Sequence, residues 1–138
     1  VRFALGSGTA VIESDLNQAR KLEERLLEEV PRCGFSEAEV FAVKLALEEC
    51  FINAIRHGNK FDPKKTVHVK WNINDQQVDF TIRDEGEGFV IDAVPDPTTD
   101  ENLEKPCGRG LMLIRAYMDE VKFNKHGNQV HLVKRRCK

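Results

Sequence analysis

Glu49 and Asn53 are the residues of this chain whose types and spacing first suggest chemistry. They lie four apart in LALEECFINAIRHGN, residues 45–59, and a spacing of four puts two side chains on one face of a helix. A carboxylate can orient or deprotonate an attacking hydroxyl or water. An amide oxygen suits Mg2+, a hard cation that takes oxygen ligands and keeps several waters. Ala42 and Ala46 continue the stripe upstream and His57 extends it downstream. A helix that only packed on a core would fill such a stripe with Leu, Ile or Val, so the small residues leave room for a ligand. An isolated carboxylate and amide at this spacing also arise on ordinary solvated helices, and partners from other segments must decide between the two.

Three further features supply partners. Val78, Phe80 and Ile82 alternate with Asp79, Thr81 and Arg83, which predicts a strand; continued, the alternation carries Asp84 onto the apolar side at its end, and the equally open alternative is that the strand has ended and Asp84 starts a turn. A carboxylate there needs a hydrogen-bond donor, or it costs several kcal/mol; an exocyclic amino group such as adenine's is a suitable one. Gly86 and Gly88 follow in DEGEGF and let backbone approach a ligand closely. Gly108 and Gly110 flank Arg109 and lead into a helix beginning at Leu111, whose free N–H groups could bind phosphate. Between them, residues 90–107 carry three prolines and no periodicity, as a lid over a site would. Together these predict a nucleotide–Mg2+ site under a lid.

The elements that must position these residues are also legible. Asp15 with Gln18, and Ser36 with Glu39, are capping-box patterns opening two amphipathic helices. The second holds Val40, Val43, Leu47, Cys50 and Ala54 on one face, and Phe41, Leu45, Ile52 and Ile55 make its other faces apolar, so burial on several sides is expected. Gly58 stands where a helix C-terminus is expected. Val67, Val69, Trp71 and Ile73 alternate with polar residues, then Asn74, Asp75 and Gln76 turn the chain into the strand leading to Asp84. Val121 and Phe123, a turn at residues 126–128, then Val130 and Leu132 close the chain as a hairpin, and residues 1–12 suggest a first strand.

The 138 residues, 41% hydrophobic and 32% charged, predict one soluble domain with a real core. The net charge of −2 offers no electrostatic reason for binding nucleic acid or an anionic membrane. No apolar run has the length of a membrane span. The four cysteines form no C-x-x-C pair or zinc-like cluster and read as reduced thiols of a cytoplasmic protein, with Cys50 in the core.

The three motifs EECFINAIRHG, DEGEGF and GRGLMLIRAYMDEV, in this order and spacing, resemble the N, G1 and G2 boxes of the GHKL (Bergerat-fold) ATPases. The NAIRHG and MDEV wording resembles the anti-sigma-factor serine/threonine kinase branch, and the resemblance covers nearly the whole chain. It implies an α/β two-layer sandwich with a mixed, mostly antiparallel sheet and helices on one face. It implies ATP with Mg2+, Glu49 as general base, Asn53 as Mg2+ ligand and Asp84 as adenine acceptor, with Gly86 and Gly88 in its loop. Gly108, Arg109, Gly110 and Leu111 match the end of the lid and the phosphate-binding helix start. Either Lys105 or Arg109 could reach the γ-phosphate, Glu48 reads as a surface or salt-bridged neighbour, and His57 as a pocket wall. The implied activity is phosphorylation of a STAS-domain antagonist and sequestration of a sigma factor, often as a homodimer. Two other readings stay open: a non-catalytic, nucleotide-dependent binding module, and the detached ATPase domain of a sensor histidine kinase.

Overall fold

The computed structural model describes residues 6–86 and 114–137. In chain order the elements are β1 (Ser7–Glu13), α1 (Leu16–Glu29), a 3-10 turn (Pro31–Cys33), α2 (Glu37–Ile52), a π-helical segment (Asn53–Gly58), β2 (Thr66–Ile73), β3 (Gln77–Arg83), β4 (Glu120–Phe123) and β5 (Gln129–Arg135). The strands make one sheet in the order β1-β2-β3-β5-β4. Every pairing among the described residues is antiparallel, where the resemblance allowed for a mixed sheet.

Period-two patterning decides which face is covered. Register sets Val69 opposite Ile82, Trp71 opposite Phe80, and Phe80 opposite Leu132. With Val67, Ile73 and Val78 they form an apolar sheet face that shares one core with Leu22 and Leu26 of α1 and Val43, Leu47 and Cys50 of α2. Between them, His68, Lys70, Asn72 and Asp79 take the other face, half-buried or exposed. Both helices therefore lie on one side, giving the expected two layers. Phe80 is wholly buried at the centre, worth about 2–3 kcal/mol of apolar transfer. Cys50 is in the core as expected, and Cys33 and Cys137 are also free thiols. Burial of α2 on several sides is only partly realised, because Phe41 is 54% exposed. No helix among the described residues is long and apolar enough to cross a membrane.

The helix starts differ from each other in an instructive way. At α2 the capping box forms in full: Ser36 Oγ accepts from Glu39 N at 3.1 Å, and Glu39 Oε1 accepts from Ser36 N at 2.8 Å. Glu39 Oε2 also accepts from Cys137 N at 2.7 Å, tying the end of the described chain to the start of α2. At α1 the box does not close. Asp15 N already donates to Glu13 O at 2.8 Å, so Gln18 Oε1 accepts from Glu13 N instead, at 2.9 Å. Asp15 still caps the helix through Asn17 N at 2.8 Å.

Glu23 is the anomaly of this layer. It is a carboxylate on the inner side of α1, 5% exposed, and its Oε1 has no hydrogen-bond partner. Burial first, then the Glu48 carboxylate, push its pKa from 4.5 up to about 7; Lys44 opposes this and Glu24 adds to it. A raised folded-state pKa means that the stabilising, protonated form is fully present below about 4.5 and is lost as pH rises through about 7. Glu23→Gln is therefore expected to exceed wild type in stability at pH 8 by roughly 1–3 kcal/mol and to lose that advantage at pH 5. Urea denaturation of both proteins at the two pH values checks this; a difference independent of pH would contradict it.

Candidate nucleotide-binding site

Glu49 stands in the last turn of α2, and Asn53 begins the π-helical segment that continues it. Asn53 N–H still donates to the carbonyls of Glu49 and Cys50, whereas Asn59 N–H donates to Ala54 O, five residues back, at 2.8 Å. Widened turns of this kind are uncommon and recur at functional sites. One consequence is a correction: past Asn53 the α-helical spacing no longer holds, so His57 does not extend the stripe in the expected register. Ala46 corrects the stripe at its other end. It is wholly buried within the apolar core, so the room expected there is filled by protein.

Glu49 and Asn53 are both half-buried, and neither side chain has a hydrogen-bond partner among the described residues. Burial first, and then the adjacent Glu48 carboxylate, hold Glu49 above the usual carboxylate range. Glu48 was expected at the surface or in a salt bridge; it is half-buried and forms no salt bridge among the described residues. Burial and then the neighbouring Arg56 lower the pKa of His57, favouring its neutral form.

Asp84 follows β3 directly, on the side where Val78, Phe80 and Ile82 are buried, and is itself half-buried. Its N–H donates to Asn128 O at 2.9 Å. The donor that the sequence demanded for its carboxylate is Gly86 N–H, which reaches Asp84 Oδ1 at 2.7 Å. Burial nonetheless lifts its pKa above the ordinary range, against the lowering by Gly86 N–H and by the Lys65 charge.

Gly58 and Gly86 bring the two halves of the site together. A Cβ on Gly58 would lie 2.4 Å from Asp84 Cγ, and one on Gly86 would lie 2.2 Å from the Gly58 carbonyl oxygen. Gly58 thus ends the helix where expected but for a different reason: it makes room for Asp84. The left-handed conformation of this turn falls instead on Lys60 (φ 52°) and Phe61 (φ 57°). Asn59, between Gly58 and Lys60, is a buried polar residue that its sequence context presents as part of a connection. Its Oδ1 accepts from Glu85 N at 2.8 Å, and its Nδ2 donates to Ser14 Oγ and Thr66 O, each at 3.0 Å. A polar residue beside a helix-ending glycine carries no signal of such burial.

The structure therefore brings Gly58, Asp84 and Gly86 into contact, and Glu49 and Asn53 stand upstream on the helix and π-helical segment that end at Gly58. Gly88, Lys105, Gly108, Arg109, Gly110 and Leu111, with the segment 90–107, lie outside the described residues. No group of three or more His, Cys, Asp or Glu among the described residues is arranged to hold a metal. A Mg2+ bound with a nucleotide needs no such cage, because phosphates and waters supply most of its ligands, and the free amide of Asn53 fits that role.

Gly58→Ala places a methyl group against the Asp84 carboxylate, which can yield only by leaving Gly86 N–H. The variant is expected to fold and to bind ADP about tenfold more weakly or worse by isothermal titration. Unchanged affinity would remove Asp84 from the site. Gly86→Ala meets backbone rather than a side chain, so a loss of roughly 1–3 kcal/mol in urea denaturation is expected in addition.

The family described as "Histidine kinase-like ATPase domain" matches residues 12–134. The chain is 30% identical over 99 residues to the serine-protein kinase RsbW of Oceanobacillus iheyensis, covering 67% of this chain and 63% of that protein. It is 34% identical over 102 residues to the anti-sigma F factor of Bacillus cytotoxicus, covering 70% and 69%. The crystal structure of the RsbU and RsbW domains of a Mycobacterium tuberculosis protein superposes with a TM-score of 0.63 at 16% identity, over 95% of this chain and 32% of that one, a likeness of fold. With the motifs, the two-layer architecture and the match over residues 12–134 in agreement, this chain belongs to the histidine kinase-like ATPase domain family.

Proposed function

We propose that this protein is an ATP-dependent serine/threonine protein kinase that acts as an anti-sigma factor. In this reading it phosphorylates a STAS-domain antagonist and sequesters a sigma factor in the cytoplasm, with homodimerisation available to it. Relatives named as a serine-protein kinase and as anti-sigma F factors support the activity. The observation that supports it within this chain is the pair of half-buried polar side chains, Glu49 and Asn53, without a hydrogen-bond partner among the described residues, on the helix whose continuation ends at Gly58 against Asp84. The 138 residues are read as one domain, with residues 90–107 as its lid and Lys105 or Arg109 as the γ-phosphate cation.

In this mechanism Asp84 accepts the exocyclic amino group of adenine, and Gly86 and Gly88 let the loop backbone approach the base. Gly108, Arg109, Gly110 and Leu111 cradle the phosphates. Asn53 would hold Mg2+ together with the nucleotide, and the metal supplies neutralisation of developing phosphate charge. Glu49 accepts the proton of the attacking serine or threonine hydroxyl as the bond to the γ-phosphoryl group forms and the bond to the ADP oxygen breaks. Its elevated pKa makes it a stronger base than an ordinary carboxylate, at the expense of requiring a higher pH to be ionised.

Phosphoryl transfer to a cognate STAS-domain protein with Mg-ATP, read as phosphoserine or phosphothreonine by mass spectrometry, tests this reading. Glu49→Gln is expected to lower the transfer rate by about 10²–10⁴-fold with ADP affinity little changed. Asn53→Ala is expected to weaken Mg2+-dependent ATP binding by about tenfold or more. Wild type that captures a partner with nucleotide yet transfers no phosphate is the binding module instead.

A second prediction concerns pH. A base must be ionised, so the acidic limb of the rate profile is expected above the ordinary carboxylate pKa of 4.5. Glu48→Gln removes the charge that raises Glu49 and is expected to move that limb to lower pH. A limb that stays in place would show that the Glu48 charge does not set the ionisation of the titrating base.

A further inference from the structure

Asn59 is 1% exposed, so it can influence a ligand only through what it holds. Its three hydrogen bonds reach three segments that are distant in sequence. Nδ2 donates to Ser14 in the β1–α1 turn and to the carbonyl of Thr66, the first residue of β2, while Oδ1 accepts from Glu85 N in the loop after β3. The orientation of the amide is fixed by its partners. Glu85 N–H can only donate and Thr66 C=O can only accept. Ser14 Oγ donates its own hydrogen to Lys65 O at 2.7 Å, leaving lone pairs toward Asn59.

These bonds converge on Asp84. Its own N–H is held by Asn128 O, the next N–H along the chain by Asn59, and the one after that, Gly86 N–H, by the Asp84 carboxylate itself. Glu85 is held a second time, through its Oε2, which accepts from Thr66 N at 2.6 Å. Asn59 is thus the side chain that anchors this loop to the far end of α2, one residue beyond the glycine against which Asp84 packs. An Asp at this position has no hydrogens for the Ser14 lone pairs and the Thr66 carbonyl, and a Gln is one methylene too long for a site with no space.

We propose that Asn59 is a positioning residue for base recognition, the clamp that fixes the Asp84 carboxylate where an exocyclic amino group is read. This rests on the reading of Asp84 as the base acceptor. It adds that discrimination between bases depends on a buried amide that never touches the nucleotide. A residue that supported only the fold would weaken binding of every nucleotide alike. A residue that aims Asp84 affects most the base that Asp84 recognises.

Isothermal titration with ADP and with inosine diphosphate, which has a carbonyl in place of the amino group, separates these cases. Wild type is expected to prefer ADP. Asn59→Ala is expected to reduce the ADP-to-IDP affinity ratio about fivefold or more, the scale of one buried hydrogen bond. Asn59→Ser, which keeps a small polar group in the site, is expected to move the ratio in the same direction and serves if the alanine variant does not fold. Ser14→Ala removes one anchor but leaves the bond to Glu85, so it is expected to lower the melting temperature and keep the ratio. If wild type discriminates and the Asn59 variants retain the ratio, or if Ser14→Ala loses it equally, Asn59 is only structural and the proposal is overturned. If wild type binds both diphosphates alike, the reading of Asp84 fails first, and this inference fails with it.

Discussion

The contact between the end of α2 and the loop after β3 is the constraint on which the site depends. Glu49 and Asn53 belong to the helical layer and Asp84 to the sheet, and a core of interchangeable apolar side chains sets the distance between layers only coarsely. Gly58 and Gly86 set it closely. With no Cβ on either, the carboxylate of Asp84 and the carbonyl of Gly58 occupy space that any other residue would fill. Close-packed atoms allow little adjustment, so this contact acts as a stop, and the relative position of the two halves is defined at the site itself. The π-helical segment belongs to the same arrangement, because it delivers Gly58 and Asn59 to the loop after an interval that a continued α-helix would not give.

The fold was legible to the extent that it depends on period. Alternation in residues 66–73 and 77–83, the Ser36–Glu39 box and the turn at Asn74 all appear where expected, because each follows from a local rule. At Asp84 the strand has ended at Arg83 and the residue opens a turn, in which Gly86 N–H supplies the donor its carboxylate needs. What was not legible depends on contacts that no local pattern announces. The Asp15 box fails because a neighbouring carbonyl has already taken the cap N–H. Ala46 reads as space for a ligand but is filled by the core. Gly58 reads as a left-handed cap and is in fact a clearance for a residue 26 positions later. Asn59 reads as linker because nothing in its neighbourhood announces that Ser14, Thr66 and Glu85 will surround it.

Three glutamates of the helical layer show how the same group is given different properties by its surroundings. Burial acts on all three in one direction. At Glu39 it is outweighed by hydrogen bonds from Ser36 and Cys137, and the pKa falls below the usual value. At Glu23 and Glu49 no such donors are present among the described residues, and the pKa rises. Glu39 is therefore a structural tie whose charge contributes to holding the chain. The other two keep a proton more readily than an ordinary carboxyl, which suits Glu49 to the proposed role of base, since a base works best when its pKa approaches the working pH.

Glu48 connects the two raised groups. It is the second cause of the shift at both Glu23 and Glu49, one on each side of the α1–α2 contact. The charge that raises Glu49 therefore also makes the neighbouring buried carboxylate harder to ionise, and the helix pair loses stability as pH rises through about 7, where Glu23 ionises. Replacing Glu48 by an apolar residue would relieve both shifts at once. A like-charged residue beside the proposed base, set against a buried carboxylate with no donor among the described residues, fits a helix that faces both a core and a candidate site. The cost in stability, at Glu23, lies one side chain away from the proposed base and shares Glu48 with it, rather than in a separate part of the fold.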